Sequence, residues 1–130
     1  MLRHLKIMVI DDDPDLLRGL GIRLISEGYC VTVAATAHSA LDSVLRAEPD
    51  LILLDLGLPD DDGLQVLKRL KGIQAAAGIP VIVISARDSS CEEEVLAAGA
   101  LAFFQKPVEN DELFEFIALA LEDAGEQVAG

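Results

Sequence analysis

Two runs of the chain, Leu51-Ile-Leu-Leu54 and Pro80-Val-Ile-Val-Ile84, are apolar at every successive position. A strand wet on one side alternates apolar with polar residues, so an unbroken run this short reads as a strand covered on both faces. Covering both faces of a sheet takes helices, and the intervening stretches supply them. Leu16, Leu17, Leu20, Leu24 and Ile25 recur at helical spacing, as do Ala37, Ala40, Leu41, Val44 and Leu45, and then Leu64, Val66, Leu67, Leu70 and Ile73. Strands over Leu5–Ile10, Tyr29–Ala34 and around Ala102-Phe103-Phe104, a helix from Glu92 to Ala98, and a last helix carrying Leu113, Phe114, Ile117 and Leu121 complete a (βα)5 pattern. Asp13 ahead of Pro14 and Thr36 ahead of Ala37 are expected N-caps, with Gly28 closing the first helix.

Strands joined by single helices imply an α/β fold with a parallel sheet, right-handed crossovers and helices on both faces. The expectation is a flavodoxin-like, doubly wound, five-stranded sheet of order 2-1-3-4-5. Such sheets bind ligands outside the carboxyl ends of their strands, where the strand order reverses. Here that point lies between the first and third strands, both of which end in aspartates.

With 130 residues, 52% of them hydrophobic, the chain is expected to be one domain over residues 1–124, followed by a tail or linker start over 125–130. Ten Lys and Arg against 23 Asp and Glu give a formal charge of −13, which repels nucleic-acid phosphates and anionic membrane and suits basic partners or metal cations. The apolar stretch near the N-terminus is too short for a signal peptide or membrane span, so a cytoplasmic location is expected. Cys30 and Cys91 lie in no CxxC or Cys/His spacing and are expected to be inert core or helix-face thiols.

Asp11 and Asp12 follow the first strand and Asp55 the third, so the fold would gather three carboxylates in one pocket. Three such groups raise one another's pKa unless a cation neutralises them, and oxygen ligands favour a hard divalent ion, with Mg2+ the leading candidate. Asp11–Asp15 alone also suits a helix-capping loop. Asp55, however, ends an all-apolar strand with no base among Leu56-Gly57-Leu58-Pro59 to pair with it. Lys106, before Pro107 at the end of the fifth strand, reaches the same rim and suits an ion pair with these carboxylates; the Lys-Pro bond is a candidate for cis. Ser85 adds a hydroxyl there. The run Asp60-Asp61-Asp62 before Gly63 reads as a solvated turn and helix N-terminus without chemistry.

In these residues the chain resembles the receiver (response regulator) domain of two-component signalling. The resemblance spans about residues 5–123 and rests on Asp11-Asp12, on Asp55 within Leu53-Leu-Asp-Leu-Gly-Leu-Pro59 with Asp62-Gly63 beyond, on Ser85-Ala86 and on Lys106-Pro107, all in register. It implies that Asp55 is the phosphoacceptor for a histidine kinase or histidine phosphotransfer protein. Asp12, Asp55 and the Gly57 carbonyl would ligate Mg2+, Asp11 would hold a metal-bound water, and Lys106 would pair with Asp55 or its phosphate. Ser85 would be the switch hydroxyl and Phe103 the switch aromatic, where the family more often has Tyr; without a hydroxyl to offer solvent, Phe103 is expected to favour its inward position. Gly57 and Arg87 occupy positions that tune phosphoryl loss, and Arg87 is expected to shield the site or pair with Asp60 or Asp61. Catalysis is expected to stop at the chain's own phosphorylation and dephosphorylation, controlling an output partner or domain through the surface of the fourth helix, fifth strand and fifth helix. A homodimer and an output domain outside this chain are left open.

Three rivals share parts of this pattern. A flavin-binding protein needs a phosphate-cradling first loop, but Asp11-Asp-Asp-Pro-Asp15 repels phosphate and aromatic residues make up only 4%. A phosphatase with an aspartate nucleophile would place an acid two residues on, where this chain has Gly57. A receiver-like binding module that works without phosphorylation would not need the complete set of acidic, hydroxyl and lysine residues.

Overall fold

The structure, a computed structural model, describes the backbone of residues 4–129 and the side chains of residues 4–122. Five strands, β1 (Lys6–Ile10), β2 (Cys30–Ala34), β3 (Leu51–Leu54), β4 (Val81–Ser85) and β5 (Ala102–Gln105), form one sheet of order β2-β1-β3-β4-β5 with every pairing parallel. Helices α1 (Pro14–Ser26), α2 (Ala37–Ala47), α3 (Gly63–Gly72), α4 (Glu92–Ala97) and α5 (Asn110–Ala129) follow the strands in turn, α4 entered through a 3-10 turn at Ser89–Cys91. The fold class and strand order are as expected. α5 continues past Leu121 through the backbone of 125–129, where a tail or linker was expected to begin.

Local chemistry sets the helix ends. Asp13 caps α1, its carboxylate accepting from Asp15 N at 3.0 Å, with Pro14 occupying the first position, where no N–H is required. Gly28, at φ 97°, takes the left-handed conformation that lets the chain turn into β2. Thr36 and Ser39 form a capping box at α2.

The strands' two sets of side chains make two cores. Met8, Ile10, Ile52, Leu54, Val81 and Val83 pack against α2, α3 and α4 through Val44, Leu67, Leu70 and Val95. Ile7, Val9, Leu51, Leu53, Ile82 and Ile84 pack against α1 and α5 through Leu24, Leu113, Phe114 and Ile117. Each large aliphatic side chain removed from water contributes about 1.5–3 kcal/mol, so the central strands, buried on both faces, hold the sheet and fix where their carboxyl ends lie. Among the described residues no helix is long and apolar enough to cross a membrane.

Cys30 corrects the expectation of a core or helix-face thiol: it is exposed on β2. β2 is an outer strand paired only with β1, so its outward residues face water. Cys91 is half-buried against the core beneath α4.

Candidate functional site

At the carboxyl edge of the sheet, backbone hydrogen bonds continue one residue beyond the strands and thereby aim the polar side chains. Asp11 N donates to Ala34 O at 3.0 Å, Asp55 N to Ile10 O at 2.8 Å, and Lys106 N to Ser85 O at 2.8 Å. Asp11, Asp55 and Lys106 thus leave the sheet in one direction, although 95 residues separate Asp11 from Lys106.

The carboxylate oxygens of Asp11, Asp12 and Asp55 come within 4.8 Å of one another, with Asp11 and Asp55 buried and Asp12 exposed. Lys106 Nζ donates to Asp11 Oδ2 at 3.0 Å and lies 3.6 Å from Asp55 Oδ2. The lysine therefore answers two carboxylates rather than Asp55 alone, and Asp11 is the nearer. Asp11 Oδ1 accepts from Asp13 N at 2.9 Å, which ties this carboxylate to the loop leading into α1.

Burial first, and then the charge of Asp11, push the Asp55 carboxyl above its ordinary pKa; Lys106 and the Gly57 backbone N–H oppose that rise, and Asp12 adds to it. For Lys106, burial favours loss of the proton, but the hydrogen bond and charge of Asp11, with the charge of Asp55, outweigh it and hold the ammonium above its ordinary value. Three carboxylates against one ammonium leave an excess of negative charge. An all-oxygen donor set with that excess fits a hard divalent cation.

Two close approaches shape the loop after β3. Gly57 bridges to Asp62 and turns the chain back. Gly63, the first residue of α3, lies directly on the backbone of Asp55 and Leu56, its N–H donating to Leu56 O at 2.8 Å. A Cβ at Gly63 would stand 2.5 Å from Leu56 Cα, whereas one at Gly57 would stand an ordinary 3.7 Å from Asp55 Oδ2.

Ser85 is buried as the last residue of β4, its hydroxyl accepting from Arg87 N at 3.1 Å. Phe103 is half-buried and packs against the core on the side of α2, α3 and α4. The Lys106-Pro107 bond is cis.

The acidic run 60–62 forms the turn and helix N-terminus expected of it, and reaches one helix further. Asp60 accepts from Ala37 N at 2.7 Å and His38 N at 3.0 Å, capping α2 from the loop after β3; those N–H groups, His38 first, hold its carboxyl below the usual range. Asp62 caps α3 by accepting from Leu64 N at 3.0 Å. The same Oδ1 accepts from Arg87 Nη2 at 2.9 Å, so Arg87 pairs with Asp62 and not with Asp60 or Asp61. The capping role of Asp62 had a sequence signal, an aspartate directly before Gly63 and an apolar periodic run; the reach of Asp60 to α2 had none.

The pattern of the response regulator receiver domain matches residues 7–118. Among curated proteins, the transcriptional regulatory protein KdpE of Mycobacterium tuberculosis is 44% identical over 116 residues, covering 88% of this chain and 50% of the relative. The transcriptional regulatory protein GlrR of Escherichia coli is 38% identical over 120 residues, covering 91% of the chain and 26% of the relative. The chain thus spans half, or less, of the length of these relatives. Among solved structures, a CheY-like receiver domain protein from Methanospirillum hungatei superposes with a TM-score of 0.88 at 30% identity, covering 96% of this chain and 99% of the other. The BeF3-activated N-terminal receiver domain of RstA from Klebsiella pneumoniae gives 0.83 at 27% identity, covering 89% and 97%.

Proposed function

Because the chain belongs to the response regulator receiver domain family of two-component signalling, we propose that it accepts a phosphoryl group on Asp55 from the phosphohistidine of a histidine kinase or histidine phosphotransfer protein. The observation that carries this reading is the Lys106 ammonium set between Asp11 and Asp55, with Asp12 beside them, at the carboxyl edge of the sheet.

In the transfer, an Asp55 carboxylate oxygen forms a bond to phosphorus as the phosphorus–nitrogen bond of the donor breaks and the imidazole nitrogen takes up a proton. Asp55 must be ionised to attack, and Lys106, with the Gly57 N–H, favours that form against burial and Asp11. The charge held on Lys106 faces the place where the phosphoryl oxygens arrive, an electrostatic contribution made before the reaction starts. Asp12, Asp55 and the Gly57 carbonyl would hold Mg2+, with Asp11 acting through water, and the ion would neutralise charge on the phosphoryl oxygens. The catalysis is confined to the chain's own phosphorylation and dephosphorylation.

Ser85 and Phe103 would carry the change outward, to the face built by α4, β5 and α5. The exposed Leu96 on α4, Leu101 before β5 and Leu119 on α5 give that face apolar side chains for an output partner or domain.

The test is mass spectrometry after incubation with acetyl phosphate and Mg2+, with and without EDTA. The expected result is one adduct of about 80 Da, the mass of a phosphoryl group, labile to hydroxylamine, located at Asp55 and lost with EDTA. No adduct where a control receiver labels would overturn the reading in favour of a binding module that works without phosphorylation.

A further inference from the structure

Two loops flank Asp55, and one residue ties them together. The loop after β3 runs from Gly57 to the α3 cap at Asp62; the loop after β4 runs from Ser85 to the turn at Ser89. Arg87 grips both: its N–H donates to Ser85 Oγ at 3.1 Å and its guanidinium to Asp62 Oδ1 at 2.9 Å.

Asp62 is a firm anchor. The oxygen that receives Arg87 also caps α3 at Leu64 N, and the residue after it, Gly63, rests on the Asp55 backbone. The Ser85 hydroxyl, the group at the floor of the second loop, is meanwhile tied to that loop's own backbone as an acceptor, its O–H left to donate. For the hydroxyl to approach a group on Asp55 while it still accepts from the Arg87 N–H, the loop must move with it, and the guanidinium must follow or stretch its pair with Asp62.

We infer that Arg87 is a positioning residue that straps the loop after β4 in its resting arrangement through Asp62, and that the Asp62–Arg87 pair sets how readily the loop moves when Asp55 is phosphorylated. This rests on the receiver reading for its consequence, but not for the strap itself. Both side chains are a little over 40% exposed, so the strap is a modest bias that salt can screen. Such a strength suits a switch, since a bond worth many times the thermal energy would hold the loop shut against phosphorylation too.

Asp62→Asn separates the charge from the cap, because the amide oxygen can still accept from Leu64 N. Hydrogen exchange of the amides of residues 86–90 in the unphosphorylated protein, at low salt, is expected to rise about two- to fivefold in Asp62→Asn, the range for an exposed ion pair. Arg87→Gln should give a rise of the same size, and the double variant no further rise, as two members of one interaction require. In about 0.5 M NaCl the wild type should approach the variants. Phosphorylation of Asp62→Asn by acetyl phosphate should be faster by a similar factor. Unchanged exchange in Asp62→Asn, additive effects in the double variant, or an unchanged labelling rate would each overturn the strap. A wild type that never acquires the phosphoryl group would instead overturn the receiver reading, with the exchange results still standing as the test of the strap.

Discussion

Substituting Gly63 by alanine isolates how the loop after β3 holds Asp55. At an open helical position the change would stabilise the protein by about 0.5–1 kcal/mol. Here the new methyl would stand 2.5 Å from Leu56 Cα, 3.1 Å from the Asp55 carbonyl carbon and closer still to the Asp55 carbonyl oxygen. Non-bonded carbons settle at about 3.5–4.0 Å, so the two backbone segments must separate by about 1 Å. Backbone cannot swing aside as a flexible side chain does, and the separation also stretches the Gly63 N–H bond to Leu56 O. Overpacking of this kind costs about 1–3 kcal/mol; a middle value of about 2 lowers the melting temperature of a chain this size by about 8 °C. Because the displaced backbone includes Asp55, phosphoryl labelling well below the melting temperature should also slow by about tenfold. Gly57→Ala is the control, since its methyl finds ordinary contact at 3.7 Å and should shift stability by no more than about 0.5 kcal/mol. Thermal unfolding by circular dichroism and labelling by intact mass read both effects. A Gly63→Ala protein melting within about 2 °C of wild type, or a Gly57→Ala protein melting more than about 2 °C below wild type, would refute the reasoning.

Three further outcomes follow from the site. Asp55→Asn should abolish labelling and, in EDTA, stabilise the folded protein. Because the folded-state pKa of Asp55 lies above its unfolded value, the wild type loses stability as pH rises through that window, so denaturant melts should show the gain at pH 7 and little of it near pH 3. Lys106→Met leaves the buried Asp11 and Asp55 carboxylates facing one another, a loss of about 2 kcal/mol at neutral pH measurable by urea unfolding. Asp60→Asn weakens the cap on α2. The Asp60 pKa is depressed in the folded state, so the wild type's advantage should be present above the ordinary carboxyl range and vanish as pH falls through the folded value, read by unfolding melts of both proteins across acidic pH.

The elements and the central cluster were legible because local and global signals agree. All-apolar β3 and β4 require helices on both faces, and a parallel sheet sends the ends of β1, β3 and β5 to one edge, which brings Asp11, Asp12, Asp55 and Lys106 together whatever the details of the loops. Asp13 and Thr36 were readable as caps because their bonds stay within four residues. What the sequence hid are contacts set by loop paths. Asp60 reaches α2 across 23 positions, Arg87 selects Asp62 from three adjacent aspartates, and Lys106 leans toward Asp11 more than Asp55. No periodicity encodes such choices. The exposure of Cys30 was readable in principle, since the order 2-1-3-4-5 already makes β2 an outer strand.

The strand order also makes the site depend on the whole sheet. β5 has only β4 to join, and β4 joins the rest through β3, so the Lys106–Asp11 contact depends on both of those pairings. β1 and β3 alone bring the three acids together; the ammonium that opposes their mutual repulsion comes from beyond β5. The pairing of Lys106 with Asp11 is therefore a property of the finished sheet, and the acidic residues alone do not make the site.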